Sequence, residues 1–311
     1  MPEPRAVTGP VVVAMLTYRR PEDLARAVPT FRAELDTVPG ESWLLVVDND
    51  PDASAREAVT ALGDPRVRYE HEPRPGIAAG RNRALDASHD ADLLVFVDDD
   101  EHPCPGWLSN LLATYERTGA GAVAGAVVSE YDTEPDAWMA AGRFFDRRRL
   151  PTGTPIDMAA TNNLLLDLSQ VPGDLRFDEE WGLTGGSDSL FTRMLHLRGV
   201  SMVWCDEAVV VDRVPTSRLT REWVLRRARR TGNSTVRVAL ALAPAGPRRW
   251  AVRAEGLARG AVRMVGGVAR ILLGRASGSI VHDARGRRTL ARGRGMVGAA
   301  VGSVVAEYAR T

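Results

Sequence analysis

The sequence predicts an α/β fold with a mostly parallel central sheet flanked by helices, followed by a helical, arginine-rich C-terminal extension. Three observations lead there. Short apolar runs alternate with helical patterns through the first hundred residues, and the runs are continuously apolar, as expected for strands covered on both faces. The charge then divides along the chain. Residues 1–214 hold 20 Arg against 36 Asp plus Glu, a net of −16, whereas 215–311 hold 20 Arg against 4, a net of +16, so the overall zero is a cancellation between two segments.

The elements follow in order. VVVAML (11–16) reads as a first strand, and Pro21 opens a helix with Leu24, Ala27, Val28, Phe31 and Leu35 at three- and four-residue spacing. WLLVVD (43–48) is a second strand, with a helical stretch over 53–62 behind it. VRYEHE (67–72) is a third, followed by a helix over 77–88. LLVFV (93–97) is a fourth, followed by a helix over 105–115. Ligands of such sheets sit beyond the carboxyl ends of the strands. Thr17, Asp48 and Asp98 to Asp100 all fall there.

Several function classes are excluded or disfavoured. A dinucleotide fold needs G-x-G-x-x-G after its first strand, and TYRRPE stands there instead; no P-loop is present. All 40 basic residues are arginine, which removes mechanisms built on a catalytic lysine. Two cysteines, Cys104 and Cys205, make no disulfide framework and no zinc spacing, and the start of the chain has no signal-peptide layout. The longest uncharged stretch near the C-terminus, 295–306, is 12 residues, below the roughly 20 that span a bilayer. A cytoplasmic protein, soluble or peripheral to the inner face of the membrane, is expected, with no nucleic-acid partner.

The acidic stretch FVDDDEHP (96–103) raises the chemical question. Asp98, Asp99, Asp100 and Glu101 repel one another, and each is costly to desolvate unless a cation or donor compensates it. The stretch invites a divalent metal, although acids before Pro105 also suit a helix N-terminus. In the same chain stand Thr17-Tyr18-x-Arg20-Pro21, Val47-Asp48-Asn49, Gly76 with Gly80-Arg81-Asn82, Thr161-Asn162-Asn163, and Phe177-Asp178 followed by Gly185-Gly186-Ser187-Asp188. Together and in this order, over about 11–235, these resemble the inverting family 2 glycosyltransferases of GT-A fold.

That resemblance implies a catalytic domain over 1–214, with a nucleotide-binding half near 1–103 and an acceptor half near 104–214, and a basic extension over 215–311. It implies a nucleoside-diphosphate sugar as donor, a UDP-sugar first, and Mn2+ or Mg2+ as cofactor. Asp100 would be the direct metal ligand, and Asp98 would contact the metal shell or ribose beside Asp99. Thr17, Tyr18, Arg20, Asp48 and Arg81 would hold the nucleotide, Tyr18 packing on its base and Asp48 accepting a hydrogen bond from it. Asp188 would be the general base toward a hydroxyl-bearing acceptor, a glycan, lipid carrier or small metabolite, with Asn162, Gly185, Gly186 and Trp181 on the acceptor side. Asp188 could equally cap the helix that follows, and Trp181 could equally be ordinary packing. Ser187 departs from the family, where a glutamate is usual. Asp212 and Arg213 follow the strand AVVV at a place where the family often puts a polar contact to metal or diphosphate.

In the extension, Leu257, Ala261, Met264, Val268 and Ile271 form one helical stripe, with Arg259, Arg263 and Arg270 on another side. Docking within the protein, a homo-oligomer contact or an anionic membrane surface through 247–311 would each use it. A non-catalytic nucleotide-sugar-binding protein and a sugar nucleotidyltransferase are the rival functions; the latter should show a Gly-rich loop and a phosphate-binding lysine, both absent.

Overall fold

A computed structural model describes residues 5–305. Strands β1 (Val11–Thr17), β2 (Ser42–Asp48), β3 (Val67–His71) and β4 (Leu93–Asp98) pair in parallel in the order β3-β2-β1-β4. The sheet continues through antiparallel pairings: β7 (Asn163–Asp167) lies on β4 and β6 (Ala122–Tyr131) on β7. Next come β8 (Met202–Val214) and the short edge strand β5 (Glu101–Pro103). The helices are α1 (Pro21–Glu34), α2 (Arg56–Ala61), α3 (Ile77–Ala87), α4 (Trp107–Thr118), α5 (Ala137–Gly142), α6 (Ser187–Leu197), α7 (Arg221–Leu242), α8 (Pro247–Ser277) and α9 (Ile280–Ala300).

Alternation along β1 shows why the strands are apolar on both sides. Val11, Val13 and Met15 enter a core with Leu24, Phe31, Trp107 and Leu108 from α1 and α4. Val12, Ala14 and Leu16 enter a second core with Ala78, Ala84 and Phe191 from α3 and α6. In the first, Phe31 meets Trp107 edge-on at 5.2 Å. Buried Glu34 ends α1 and accepts the Gly106 and Leu108 amides, satisfying two donors at the start of α4.

The chain forms two compact units. One comprises 1–128, 147–182 and 187–212; the other comprises 129–146, 183–186 and 213–311. In the second, α9 is packed through glycine. A Cβ on Gly260 of α8 would lie 2.7 Å from Val297 Cγ2, one on Gly267 2.7 Å from the Leu290 nitrogen, and one on Gly274 2.6 Å from the Asp283 nitrogen. From the α9 side, a Cβ on Gly286 or Gly293 would lie 2.9 or 2.7 Å from the carbonyl oxygen of Gly267 or Gly260. Toward α7, Gly295 abuts the Arg229 carbonyl and Gly232 the Arg292 carbonyl. Asp283 accepts the Trp138 indole N–H at 2.7 Å, and Arg285 and Arg288 donate to the carbonyls of Ala141, Gly142 and Arg143 at the end of α5.

This corrects the stripe read from the sequence. The buried residues of α8 are Gly256, Gly260, Gly267 and Gly274, whereas Leu257 and Val268 of the expected stripe face solvent. Only backbone-to-backbone approach makes glycine the inward residue, and hydrophobic periodicity is blind to it.

Candidate active site

The carboxyl ends of β1 and β4 bring Thr17, Arg20 and the acidic run together. The Thr17 hydroxyl donates to Asp99 at 2.8 Å, and one Arg20 guanidinium nitrogen reaches Asp99 at 2.9 Å and Asp100 at 3.1 Å. Burial works against the Arg20 charge, but Asp99 and Asp100 more than offset it and hold its pKa above the usual range. Glu101, on the edge strand, stands opposite Asp212 of β8 in register; its carboxylate accepts the Asp98 amide at 3.2 Å and the Asn162 side chain at 2.7 Å.

The carboxylates are electrostatically crowded. Burial, with Asp100 next and Arg81 opposing, pushes Asp98 up to about 7. Burial raises Asp99 to about 6 against the pull of Arg20. Glu101 is driven well above the carboxylate range by burial and then by Asp98, Asp100 and Asp212. Arg147 pairs with Asp212. Such a set is poised to take up positive charge, and its donors are all hard oxygens, which fits Mg2+ or Mn2+ rather than a soft metal. Among the described residues no three His, Cys, Asp or Glu side chains converge as a closed cage. The residues therefore fit a cation that takes one or two ligands from the protein and the rest from substrate and water.

Arg81 connects this cluster to α6. It is buried, offsets the Asp98 charge, stacks 5.5 Å above the Phe177 ring and donates to the Ser187 hydroxyl at 3.1 Å. Asn82, beside it, both donates to the Phe177 carbonyl at 2.9 Å and accepts its amide at 2.8 Å. Phe177 is thereby pinned between Phe96 of β4 and Phe191 of α6, at 5.8 and 3.9 Å. Gly76, at φ +114°, takes a conformation reserved for glycine, and a Cβ there would meet Gly182 at 3.3 Å. Asp188 lies in the first turn of α6, half-buried, with one oxygen accepting the Ser189 amide at 2.7 Å. It is inside the helix rather than at the N-cap position.

Other expected residues are placed differently. Asp48 is fully buried, its oxygens accepting the Asp50 amide at 3.0 Å, the Ala55 amide at 2.8 Å and the Tyr69 hydroxyl at 3.1 Å. In this arrangement it fixes the turn after β2 and presents no open face to a nucleobase. Tyr18 is half-buried, 5.4 Å beneath the Arg19 guanidinium. Trp181 is buried, which suits packing better than an open stacking platform. Gly185 and Gly186, at φ +74° and +97°, group with the second unit, as does Arg213, which pairs with Asp132 at 2.6 Å.

Residues 12–168 match the family model described as glycosyl transferase family 2. The chain is also 35% identical over 229 residues to the succinoglycan biosynthesis protein ExoM of Rhizobium meliloti (strain 1021), covering 71% of this chain and 72% of that protein. The chain belongs to glycosyl transferase family 2. Its fold is similar to that of the mannosyltransferase PcManGT from Pyrobaculum calidifontis, solved with GDP-Man and Mn2+: TM-score 0.59, 17% identity, 94% of this chain and 88% of that one. The GT-A architecture and glycosyltransferase activity expected from the motifs are thus established.

Within this family 2 enzyme, sequence reading missed Arg147, which pairs with Asp212, and it placed Glu101 in the acidic stretch without its partners. The pairing of Glu101 with Asp212 was hidden because it depends on a three-residue strand whose partner lies 111 positions later. Arg147 opens the run Arg147-Arg148-Arg149, whose length gives no hint that its first member sits on Asp212. Asn163, the last residue of the Thr161-Asn162-Asn163 motif, is a buried joint: it accepts the Trp107 indole N–H at 2.9 Å and donates to the carbonyls of Ala126 and Ala208. No helix among the described residues is long and apolar enough to cross a membrane.

Proposed function

We propose that the enzyme is a metal-dependent, inverting transferase that moves a sugar from a nucleoside diphosphate, UDP first, to a hydroxyl of a growing glycan. The observation that carries this reading is the Arg81 bridge: one guanidinium serves both Asp98 and Ser187, tying the cation-seeking carboxylates to the turn that bears Asp188. Asp98 and Asp100 would hold Mn2+ or Mg2+, which when bound neutralises the charge that develops on the departing diphosphate. Arg20 balances Asp99 and Asp100 and keeps the acidic run ordered. Thr17 fixes Asp99 by its hydroxyl. Asp188 takes the proton from the acceptor hydroxyl as it attacks the anomeric carbon opposite the leaving group, so configuration inverts. The name of the ExoM relative supports a polysaccharide acceptor over a small metabolite.

Calorimetry of UDP binding with and without Mn2+ tests the donor half. Binding should be weak without the metal, and Asp100→Ala should abolish the metal-dependent part. Unchanged metal-dependent binding in that variant would remove Asp100 from the cation site.

A further inference from the structure

Among the described residues nothing covers the face of α8 turned away from α9. Trp250, Val262, Val265 and Leu272 are 71%, 72%, 71% and 56% exposed, and Val268 and Leu273 are open as well. On a helix of 3.6 residues per turn these side chains, together with the alanines at 254, 258, 261, 269 and 276, share one outward stripe opposite the glycine seam. From Trp250 to the alanine at 276 the stripe runs for about 39 Å. Contiguous exposed apolar surface of this extent marks an interaction site rather than scattered surface residues.

The borders of the stripe identify the partner. Arg248, Arg259, Arg263 and Arg270 line one edge, Arg253 and Arg275 the other. Glu255 is the one acid in the helix sequence, and it pairs with Arg259 at 2.8 Å. A second copy docking face to face would bring arginine rows against arginine rows, an arrangement that like-charge repulsion disfavours. An apolar centre between cationic margins instead matches acyl chains beneath anionic headgroups. We propose that α8 seats the protein on an anionic lipid bilayer, lying in the plane of the surface with this stripe immersed. Because no described helix can cross the bilayer, the attachment is peripheral and salt-sensitive. It stands independently of the donor and base assignments.

Cosedimentation of the whole chain with vesicles tests it. The protein should pellet with mixed phosphatidylcholine and phosphatidylglycerol vesicles and stay in solution with phosphatidylcholine alone. Pelleting should fade as the Debye length shrinks from about 30 Å at 0.01 M salt to about 8 Å at 0.15 M. Val262→Asp with Leu272→Asp should reduce partitioning at least tenfold, with Val262→Ser and Leu272→Ser as the gentler pair should the first fail to fold. Trp250 fluorescence, taken as the difference from Trp250→Phe, should shift to the blue on the anionic vesicles. Equal pelleting on neutral vesicles, indifference to the double substitution, or a dimer in sedimentation velocity that the same substitution dissolves would each overturn the proposal, the last assigning the stripe to a second copy.

Discussion

Glycine does opposite work in the two units. In the sheet-bearing unit Gly76 is needed for its dihedral angle, which lets the chain turn sharply into α3 beside Gly182. In the helical unit Gly260, Gly267, Gly286 and Gly293 have ordinary helical backbones and are needed for their missing side chains, because another backbone occupies the space. The candidate site's compensated charges lie in the first unit, whereas α8 and α9 of the second meet through contact between main chains. A glycine's meaning is therefore read from its neighbours in space, and its frequency in the sequence predicts neither use.

The contrast predicts separable losses. The largest is expected for Asp188→Asn, which keeps size and polarity but cannot accept the acceptor's proton; turnover should fall roughly 10²- to 10⁴-fold, with donor affinity and thermal stability little changed. Near-normal transfer by that variant would sink the base assignment. Gly295→Ala in α9 acts the other way, since the new methyl collides with the Arg229 carbonyl. It should cost about 1–3 kcal/mol in denaturant unfolding while the folded fraction keeps its kcat. A variant as stable as the parent would show that the α7–α9 contact yields readily.

A subtler effect comes from the acidic cluster. Asp98 and Asp99 have folded-state pKa values of about 7 and about 6, above their ordinary value of 3.8, so folding favours their protonated forms. Their contribution to stability is complete below about pH 4 and is lost as pH rises through 6 to 7, because the unfolded chain gives up these protons first. In metal-free buffer the unfolding temperature should decline across that window, and Asp98→Asn should flatten the decline; an unaltered slope would mean that other groups set it. The smallest effect is a gain. Gly266 sits next to the seam residue Gly267, yet a Cβ there has nothing within 4 Å. Gly266→Ala should stabilise by about 0.5–1 kcal/mol in the same unfolding assay, the opposite sign to Gly295→Ala. Equal destabilisation by both would end the distinction between seam and open glycines.

What could be read in advance follows the same divide. Three of the four parallel strands, β1, β2 and β4, announce themselves because burial on both faces requires unbroken apolar runs, whereas β3 is a partly exposed edge strand of mixed polarity; the donor-side motifs are contiguous in sequence. The antiparallel half is less legible. AVAGAVVSEY carries β6 on small residues rather than on a run of branched apolar ones, and β5 exists only because β8 pairs with it. Asp48 illustrates a motif residue whose type is clear but whose surroundings are not: nothing in V-D-N tells that the Ala55 amide and Tyr69 hydroxyl enclose it. Arg81 was identifiable as a site residue, but its link to Ser187 spans 106 positions.

The spacing of the seam has its own corollary for sequence variation. Gly260, Gly267 and Gly274 recur every seven residues along α8, as Gly286 and Gly293 do along α9. Substitution tolerance across these helices should pulse with a seven-residue beat, nearly closed at the seam and permissive one position away at Gly266. A leucine heptad accepts a range of apolar substitutes, but this one accepts almost none. Drift in this segment should leave the glycine positions standing while the side chains between them diverge.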